Sequence, residues 1–556
     1  MNEFPWVKRY PEGIPAEIGK IEYPSLLELF EDCFDKYADQ VAYVNMGKTI
    51  TYRELDIYSR NFAAFLQNKF GLQKGDTIAI QMPNLLQYPI ALLGALRSGL
   101  IVVNTNPLYT PREMAHQFTD AKVKAIVIVS NFACNLEKIR EQTGIENIII
   151  TDLGDMLGGL KKSLVNFVVK YIKKMVPAYN LPSAVKFNKV LSQGNELDYN
   201  RPHVGESDLA FLQYTGGTTG VSKGAQLSHK NMVAHTQQIN LWFKPLLQKG
   251  VTETMITAIP LYHIFALAVN GIFMLRIGAK NVLITNPRDM PGFVKELKKH
   301  AFTLMTGVNT LFNGLLNQAD FKNVDFSKLK GSIGGGMAVQ DFVAKKWEDI
   351  TKSPLVEGYG LSETSPVLSC NPLDGSHNMG TIGLPTPSTE MAVFDENGNK
   401  LADGEVGEIC ARGPQVMNGY WGRSNDNVFF EGDWFRTGDM GQMDENGFFK
   451  IVDRKKDMIN VSGFNVYPNE IENVVANHPK VLEVAAVGVP DKRSTEAVKI
   501  FVVKSDESLT VDELNAYCDE NLTAYKTPKY IEFKEELPKS NVGKILRREL
   551  REAESA

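Results

Sequence analysis

The sequence predicts an α/β protein: a large N-terminal domain of two α/β layers plus a small β-rich subdomain, then a small α+β C-terminal domain. Three observations predict it. The chain has 556 residues, more than one hydrophobic core usually serves. Segments of helical spacing alternate with short apolar runs through most of its length. The texture then shifts twice, to glycine- and aspartate-rich short runs over 380–451 and to an αββα pattern after Asp453. The second shift divides the chain into 1–453 and 454–556.

Taken in order, 25–37 and 52–70 have helical spacing, and Thr77–Gln81, 125–128 and Asn147–Thr151 read as buried strands. The stretch 179–209 is polar and poor in periodicity, and separates this first layer from a second. That second α/β stretch runs from about 209 to 366, with strand-like 254–258 and 303–306 and a helical 291–300. From 380 to 451, TIGLP, EVGEICARG and GFFKIVD read as short strands and turns. After that, 469–478 and 511–522 read as helices and 484–489 and 498–503 as paired strands. The tail from Leu537 is rich in lysine and arginine, and about a hundred residues suffice for an independent domain.

Composition excludes several classes. Hydrophobic residues at 43% and charged residues at 22% are ordinary for a globular protein. A net charge of −5 gives no reason to expect nucleic acid as a partner. The five cysteines are scattered with no CxxC, as expected of reduced thiols in a cytoplasmic protein. The N-terminal MNEFPWVKRYPEG lacks the apolar core of a signal peptide, and the sequence contains no run of about 18 apolar residues, the length that would span a bilayer. The segment 161–176, KKSLVNFVVKYIKKMV, is different. At 100° per residue, Leu164, Phe167, Val168, Tyr171, Ile172 and Met175 share one arc, and Lys162, Lys170, Lys173 and Lys174 the other. That pattern suits an anionic membrane surface, such as the inner face of the cytoplasmic membrane, and equally a helix packed on its own protein with a solvated basic face.

The densest motif is YTGGTTGVSKGA, residues 214–225. It fails the P-loop pattern GxxxxGK[ST], because Gly217 is followed five positions later by Ser222 and Lys223 is followed by Gly224. Gly220-Val-Ser222-Lys-Gly224 matches GxSxG literally. However, a glycine/threonine run stands where the buried strand of a nucleophile elbow belongs. Glycines that let N–H groups turn inward, hydroxyl donors and a mobile lysine instead suit a nest for polyphosphate.

Four further stretches make that reading specific: GSIGGGMAV (331–339), EGYGLSET (357–364), WFRTGDMG (434–441) with IVDRKKDMINVSGFNVYPNEIE (451–472), and LPKSNVGKILRREL (537–550). In this order and spacing the five resemble the adenylate-forming acyl-CoA synthetase superfamily over nearly the whole chain. The run 433–472 is most similar to bacterial long-chain fatty-acid–CoA ligases. The resemblance implies a two-step reaction. A fatty carboxylate attacks the α-phosphorus of ATP and releases pyrophosphate; coenzyme A then takes the acyl group and AMP departs. Medium-chain or aryl carboxylate–CoA ligation, and a fatty acyl-AMP ligase without CoA transfer, are the alternatives. The uninterrupted 380–453 argues against the last. Oligomeric state, monomer or homodimer, stays open.

The resemblance also implies roles. Thr215, Gly216, Gly217, Thr218, Thr219, Gly220 and Lys223 would surround the β- and γ-phosphates, with Tyr214 also in the ATP site. Gly335, Gly336, Glu357, Gly358 and Gly360 would border the adenine, with Tyr359 stacked on it and Ser362 at the α-phosphate. Glu363, with Thr218, would hold Mg²⁺; Asp439 would take the ribose hydroxyls and Arg454 support them. Lys544 would bridge carboxylate and α-phosphate during adenylation. The C-terminal domain would then swing about Lys456, replacing Lys544 by Ser462 and Gly463 at the coenzyme A channel. His263, Trp242 and the run 306–316, Val308 included, would wall the acyl site, and core packing explains them equally well.

Overall fold

The computed structural model describes residues 4–215, 222–462, 464–491, 494–540 and 543–555. Gly216, Gly217, Thr218, Thr219, Gly220 and Gly463 lie outside the described residues.

The first sheet has seven strands, in the order Val185–Lys186, Asn147–Thr151, Ala125–Val129, Thr77–Gln81, Ile101–Asn104, Leu209–Thr215 and Lys223–Ser228. All neighbours are parallel except the last pair, which forms a hairpin around the glycine-rich stretch. Its strands Thr77–Gln81 and Ala125–Val129 are fully buried runs, as parallel strands covered by helices on both faces must be. Helix starts obey local chemistry. The Ser25 hydroxyl accepts from the Leu27 N–H, and Thr51 with Glu54 forms a reciprocal cap on Tyr52–Lys69.

This sheet corrects one expectation. The stretch 179–209 does not separate two layers, because Leu209–Thr215 runs beside Ile101–Asn104 with Val102 opposite Phe211. Within the stretch, helix Phe187–Gly194 packs on Tyr52–Lys69 with Phe62 and Phe187 ring centres 5.6 Å apart. A polar exterior hid that apolar edge.

The second sheet has nine strands, with Gly331–Gly334, Leu304–Gly307, Thr254–Thr257 and Lys280–Leu283 near its centre. At its far end Val41–Asn45 pairs in parallel with Lys280–Leu283 and in antiparallel with the edge strand Lys48–Thr51, so the start of the chain closes a sheet built mostly from its middle. The third sheet is antiparallel, with Glu390–Phe394, Gly407–Arg412, Trp434–Met443 and Phe449–Arg454 among its strands. The fourth pairs Val481–Asp491 with Thr495–Lys504, and adds Ile459–Val461, Phe464–Val466 and Tyr530–Phe533. Helices Pro468–Ala476, Val511–Asn521 and Arg547–Ser555 accompany it.

The basic apolar segment is an α-helix only over Gly159–Phe167; Val168–Ile172 widens into a π-turn, so the 100° wheel stops at its middle. Leu160, Leu164, Phe167, Tyr171, Ile172 and Met175 are each more than half exposed, so this apolar face is largely uncovered. Among the described residues no helix is long and apolar enough to cross a membrane.

Candidate active site

The site lies where the second and third sheets meet the C-terminal tail. Asp439, on strand Trp434–Met443, is 2% exposed and stands opposite Arg454 on the neighbouring strand. Arg454 Nε meets its Oδ1 at 2.8 Å, and the Tyr359 hydroxyl donates to its Oδ2 at 2.6 Å. Burial, then the Asp439 charge, push the Tyr359 phenol well above its ordinary range, so it remains a donor. Arg454 is stabilised as a cation chiefly by Asp439.

Glu363 sits in the short 3₁₀ turn Ser362–Thr364 and is nearly buried. Burial raises its pKa, and the Tyr420 hydroxyl, donating to Oε1 at 2.6 Å, opposes that rise. Tyr420 was not foreseen: nothing in NGYWGR marks it apart from an ordinary turn aromatic. It does two things. Its hydroxyl holds Glu363, and its ring lies 5.2 Å from Lys223 Nζ. The strand carrying Lys223 is tied to the same turn, since Trp421 N–H donates to the Gly224 carbonyl at 2.8 Å and Gln226 N–H to that of Gly419 at 3.0 Å. On the other side, the His116 ring Nε2 lies 3.0 Å from the Ser222 carbonyl oxygen. The Tyr214 side chain points elsewhere, with its hydroxyl donating to Asp120 at 2.6 Å, while Thr215 pairs with Lys223 across the hairpin.

The loop after strand Gly331–Gly334 brings Gly335 against Phe265 and the backbone of Gly358; a Cβ at Gly335 would lie 3.0 Å from the Phe265 ring and 3.3 Å from the Gly358 oxygen. Gly336, beside Val308, holds a φ of +77°, which favours glycine. Glu357, from the adjacent strand, accepts the Val339 N–H at 3.2 Å, and burial pushes its carboxyl up to about 8. Gly360 ends the strand of Glu357, and Ser362 opens the turn that carries Glu363.

Lys544 comes from the far end of the chain. Burial pulls its ammonium down to about 8, assisted by the Arg454 charge and opposed by Asp439. His263 is pulled to about 4, by burial first and then by Lys544. Sequence positions 263, 439, 454 and 544 therefore share one electrostatic neighbourhood. Lys456 joins them: its ammonium is also pulled to about 8, by burial and then Arg454, and its Nζ has no hydrogen-bond partner among the described residues. Four cations (Lys223, Arg454, Lys456, Lys544) thus gather near three carboxylates, Glu363, Asp439 and Asp457, an excess suited to a polyanion.

The other expected residues are placed differently from one another. Ser462 is on an exposed hairpin with a φ of +53° and is not brought to Lys544; its N–H donates to the Ser494 carbonyl at 2.8 Å. Trp242 is fully buried, donates its indole N–H to the Asn371 carbonyl at 3.2 Å and meets Tyr10 edge-on. Val308 is buried between Gly336 and the tail loop of Lys544. Among the described residues no cluster of three or more His, Cys, Asp or Glu could hold a metal ion.

Comparison with known proteins agrees with this geometry. The sequence matches the family described as AMP-binding enzyme over residues 30–421, and the AMP-binding enzyme C-terminal domain over 470–544. It is 58% identical over 549 residues to a long-chain-fatty-acid–CoA ligase of Salmonella typhimurium, covering 98% of each chain. A protein of the same description from Haemophilus influenzae is 53% identical, covering 99% of this chain and 98% of that one. In fold it is similar to an anthranilate–CoA ligase crystallised with anthranoyl-AMP, with a TM-score of 0.84 at 24% identity, covering 96% of this chain and 98% of that one.

Proposed function

The chain belongs to the AMP-binding enzyme family, and from that premise we propose that it joins a long-chain fatty acid to coenzyme A, using ATP, through an acyl-adenylate. One observation carries the residue-level reading: a half-buried lysine from the tail lies in the electrostatic reach of Arg454, His263 and the buried Asp439. A carboxylate oxygen attacks the α-phosphorus, and the bond to the bridging oxygen breaks, so pyrophosphate leaves. The two reactants are both anions, so the step needs compact positive charge in a site poor in water. Lys544 supplies it and tracks the charge from carboxylate to phosphate. Asp439 takes the ribose hydroxyls, and Tyr359 holds Asp439 in place while lying against the adenine beside Gly335 and Gly358. Lys223 and the glycine-rich turn take the outer phosphates.

The donor set fits Mg²⁺ that arrives with the nucleotide. One buried carboxylate, Glu363, is held by a neutral donor, and no all-protein cage is present among the described residues. Glu363, with Thr218, would hold the ion against the phosphates, where it neutralises their charge. For the second half-reaction the thiol of coenzyme A attacks the acyl carbon and AMP leaves with the former carboxylate oxygen. Our reading divides the chain at 453/454, with Lys456 as hinge and Ser462 and Gly463 carried to the thiol channel in place of Lys544. The exposed residues between Leu160 and Met175, flanked by lysines, are read as a peripheral contact with anionic lipid, from which a long-chain acid partitions. The test is a panel of C6 to C18 fatty acids and aryl acids, scored as AMP formed with and without coenzyme A. The highest kcat/KM at C14 to C18 is expected; preference for an aryl acid, or AMP release indifferent to coenzyme A, overturns the reading.

A further inference from the structure

Helix Asn309–Leu316 begins where two loops of the site converge. Asn309 is tied to the loop after Gly336: its amide donates to the Gln340 side chain at 2.8 Å, and its Oδ1 accepts the Gln340 N–H at 3.0 Å. The next residue, Thr310, reaches the other way. Its hydroxyl donates to the Gly543 carbonyl at 3.0 Å, a contact spanning 233 positions of sequence. Gly543 immediately precedes Lys544 and holds a φ of +83°. A Cβ there would lie 2.6 Å from the Thr310 Oγ1 and 3.4 Å from Val308, so the loop seats with no space to spare. Ser540 N–H donates to the Lys544 carbonyl at 2.7 Å, and Lys544 N–H to the Ser540 hydroxyl at 3.1 Å, which ties Lys544 to Ser540. One hydrogen bond from outside to Gly543 can therefore orient Gly543 and Lys544 together.

We infer that Thr310 is a positioning residue for adenylation: its hydroxyl docks the tail turn at Gly543 and so places the Lys544 ammonium over the reacting groups. The inference rests on the reading of Lys544 given above. Because Asn309 and Thr310 are adjacent on one helix, the loop beside Gly336 and the lysine turn share one rigid support, and Val308 touches both. In the thioester half-reaction Lys544 has left, so Thr310 has no part in it.

The experiment compares Thr310→Val, Thr310→Ser, Gly543→Ala and Lys544→Ala in the full chain, measuring the two half-reactions separately. Adenylation is read as pyrophosphate released from ATP and palmitate, and thioester formation from supplied palmitoyl-AMP and coenzyme A. Thr310→Val should lower adenylation kcat about tenfold, with the KM for ATP and palmitate within twofold and thioester formation unchanged. Thr310→Ser, which keeps the donor, should restore the rate to within twofold of wild type. Gly543→Ala should reproduce the selective loss through the added Cβ. Equal losses in both half-reactions, or unchanged adenylation in Thr310→Val, overturn the inference while leaving Lys544 standing if Lys544→Ala still abolishes adenylation. If Lys544→Ala spares adenylation, the reading beneath fails and the inference with it.

Discussion

Replacing Tyr420 by phenylalanine isolates one hydroxyl. The ring that faces Lys223 at 5.2 Å stays, and only the donor to Glu363 Oε1, at 2.6 Å, is lost. Glu363 is 7% exposed, and burial already raises its pKa; the Tyr420 hydroxyl is the largest influence opposing that rise. A short hydrogen bond to a buried carboxylate is worth about 1.5–3 kcal/mol. Its loss should move the Glu363 pKa further up, since the hydrogen bond favours the ionised form. Because the ionised form is the one destabilised, the acid limb of kcat/KM for adenylation moves to higher pH. At neutral pH the KM for Mg·ATP should rise about 10- to 100-fold, while the KM for palmitate stays within twofold. Initial rates of pyrophosphate release between pH 5 and 9, at varied Mg·ATP, give both quantities. An unshifted acid limb with an unchanged KM for Mg·ATP would refute the role given to Tyr420 and, through it, to Glu363.

Lys544→Met should reduce adenylation by about a thousandfold, the loss typical of a residue that stabilises transition-state charge, and spare thioester formation from palmitoyl-AMP; equal losses would sink its assignment. Lys544 and Lys456 are each pulled from 10.5 to about 8. Between those values the unfolded chain binds more protons, so their contribution makes the ligand-free protein more stable as pH rises from 8 to 10.5. Lys544→Met should flatten part of that slope in thermal melts, and an identical slope would contradict the burial of its charge. Arg547, whose side chain is 15% exposed, pairs with Glu472 at 2.5 Å and Asp453 at 3.2 Å. Removing one partner of a buried ionic cluster costs about 3–5 kcal/mol, so Arg547→Met should lower the urea midpoint clearly; a shift worth under about 1 kcal/mol would contradict the cluster's weight. Leu164→Glu with Ile172→Glu should weaken sedimentation with anionic vesicles at least tenfold without changing the rate on detergent-dispersed palmitate. Undiminished binding would remove the segment from the membrane contact.

What the sequence revealed depended on how local each feature is. Thr77–Gln81 and Asn147–Thr151 are short apolar runs between helices, and their boundaries could be read directly. The place of Leu209–Thr215 could not, because its pairing with Ile101–Asn104 joins segments about a hundred residues apart, across a polar stretch that turned out to pack. The same applies to Val41–Asn45, whose partner, Lys280–Leu283, lies in the middle of the chain. In the site, Glu363, Asp439, Arg454 and Lys544 stood out because each lies in a dense motif. Tyr420 and Thr310 did not, because their chemistry exists only in the contacts with Glu363 and Gly543, 57 and 233 positions away. The lysine-flanked segment was legible as amphipathic, but its π-turn was not, since nothing in LVNFVVKYI signals a change of pitch.

The most direct test tracks an oxygen atom. Palmitate labelled with ¹⁸O in its carboxyl group is turned over with ATP and coenzyme A, and the nucleotide products are weighed by mass spectrometry. Attack of the carboxylate on the α-phosphorus predicts AMP carrying one labelled oxygen, with unlabelled pyrophosphate. Unlabelled AMP, or ADP with the label in orthophosphate, would contradict an acyl-adenylate.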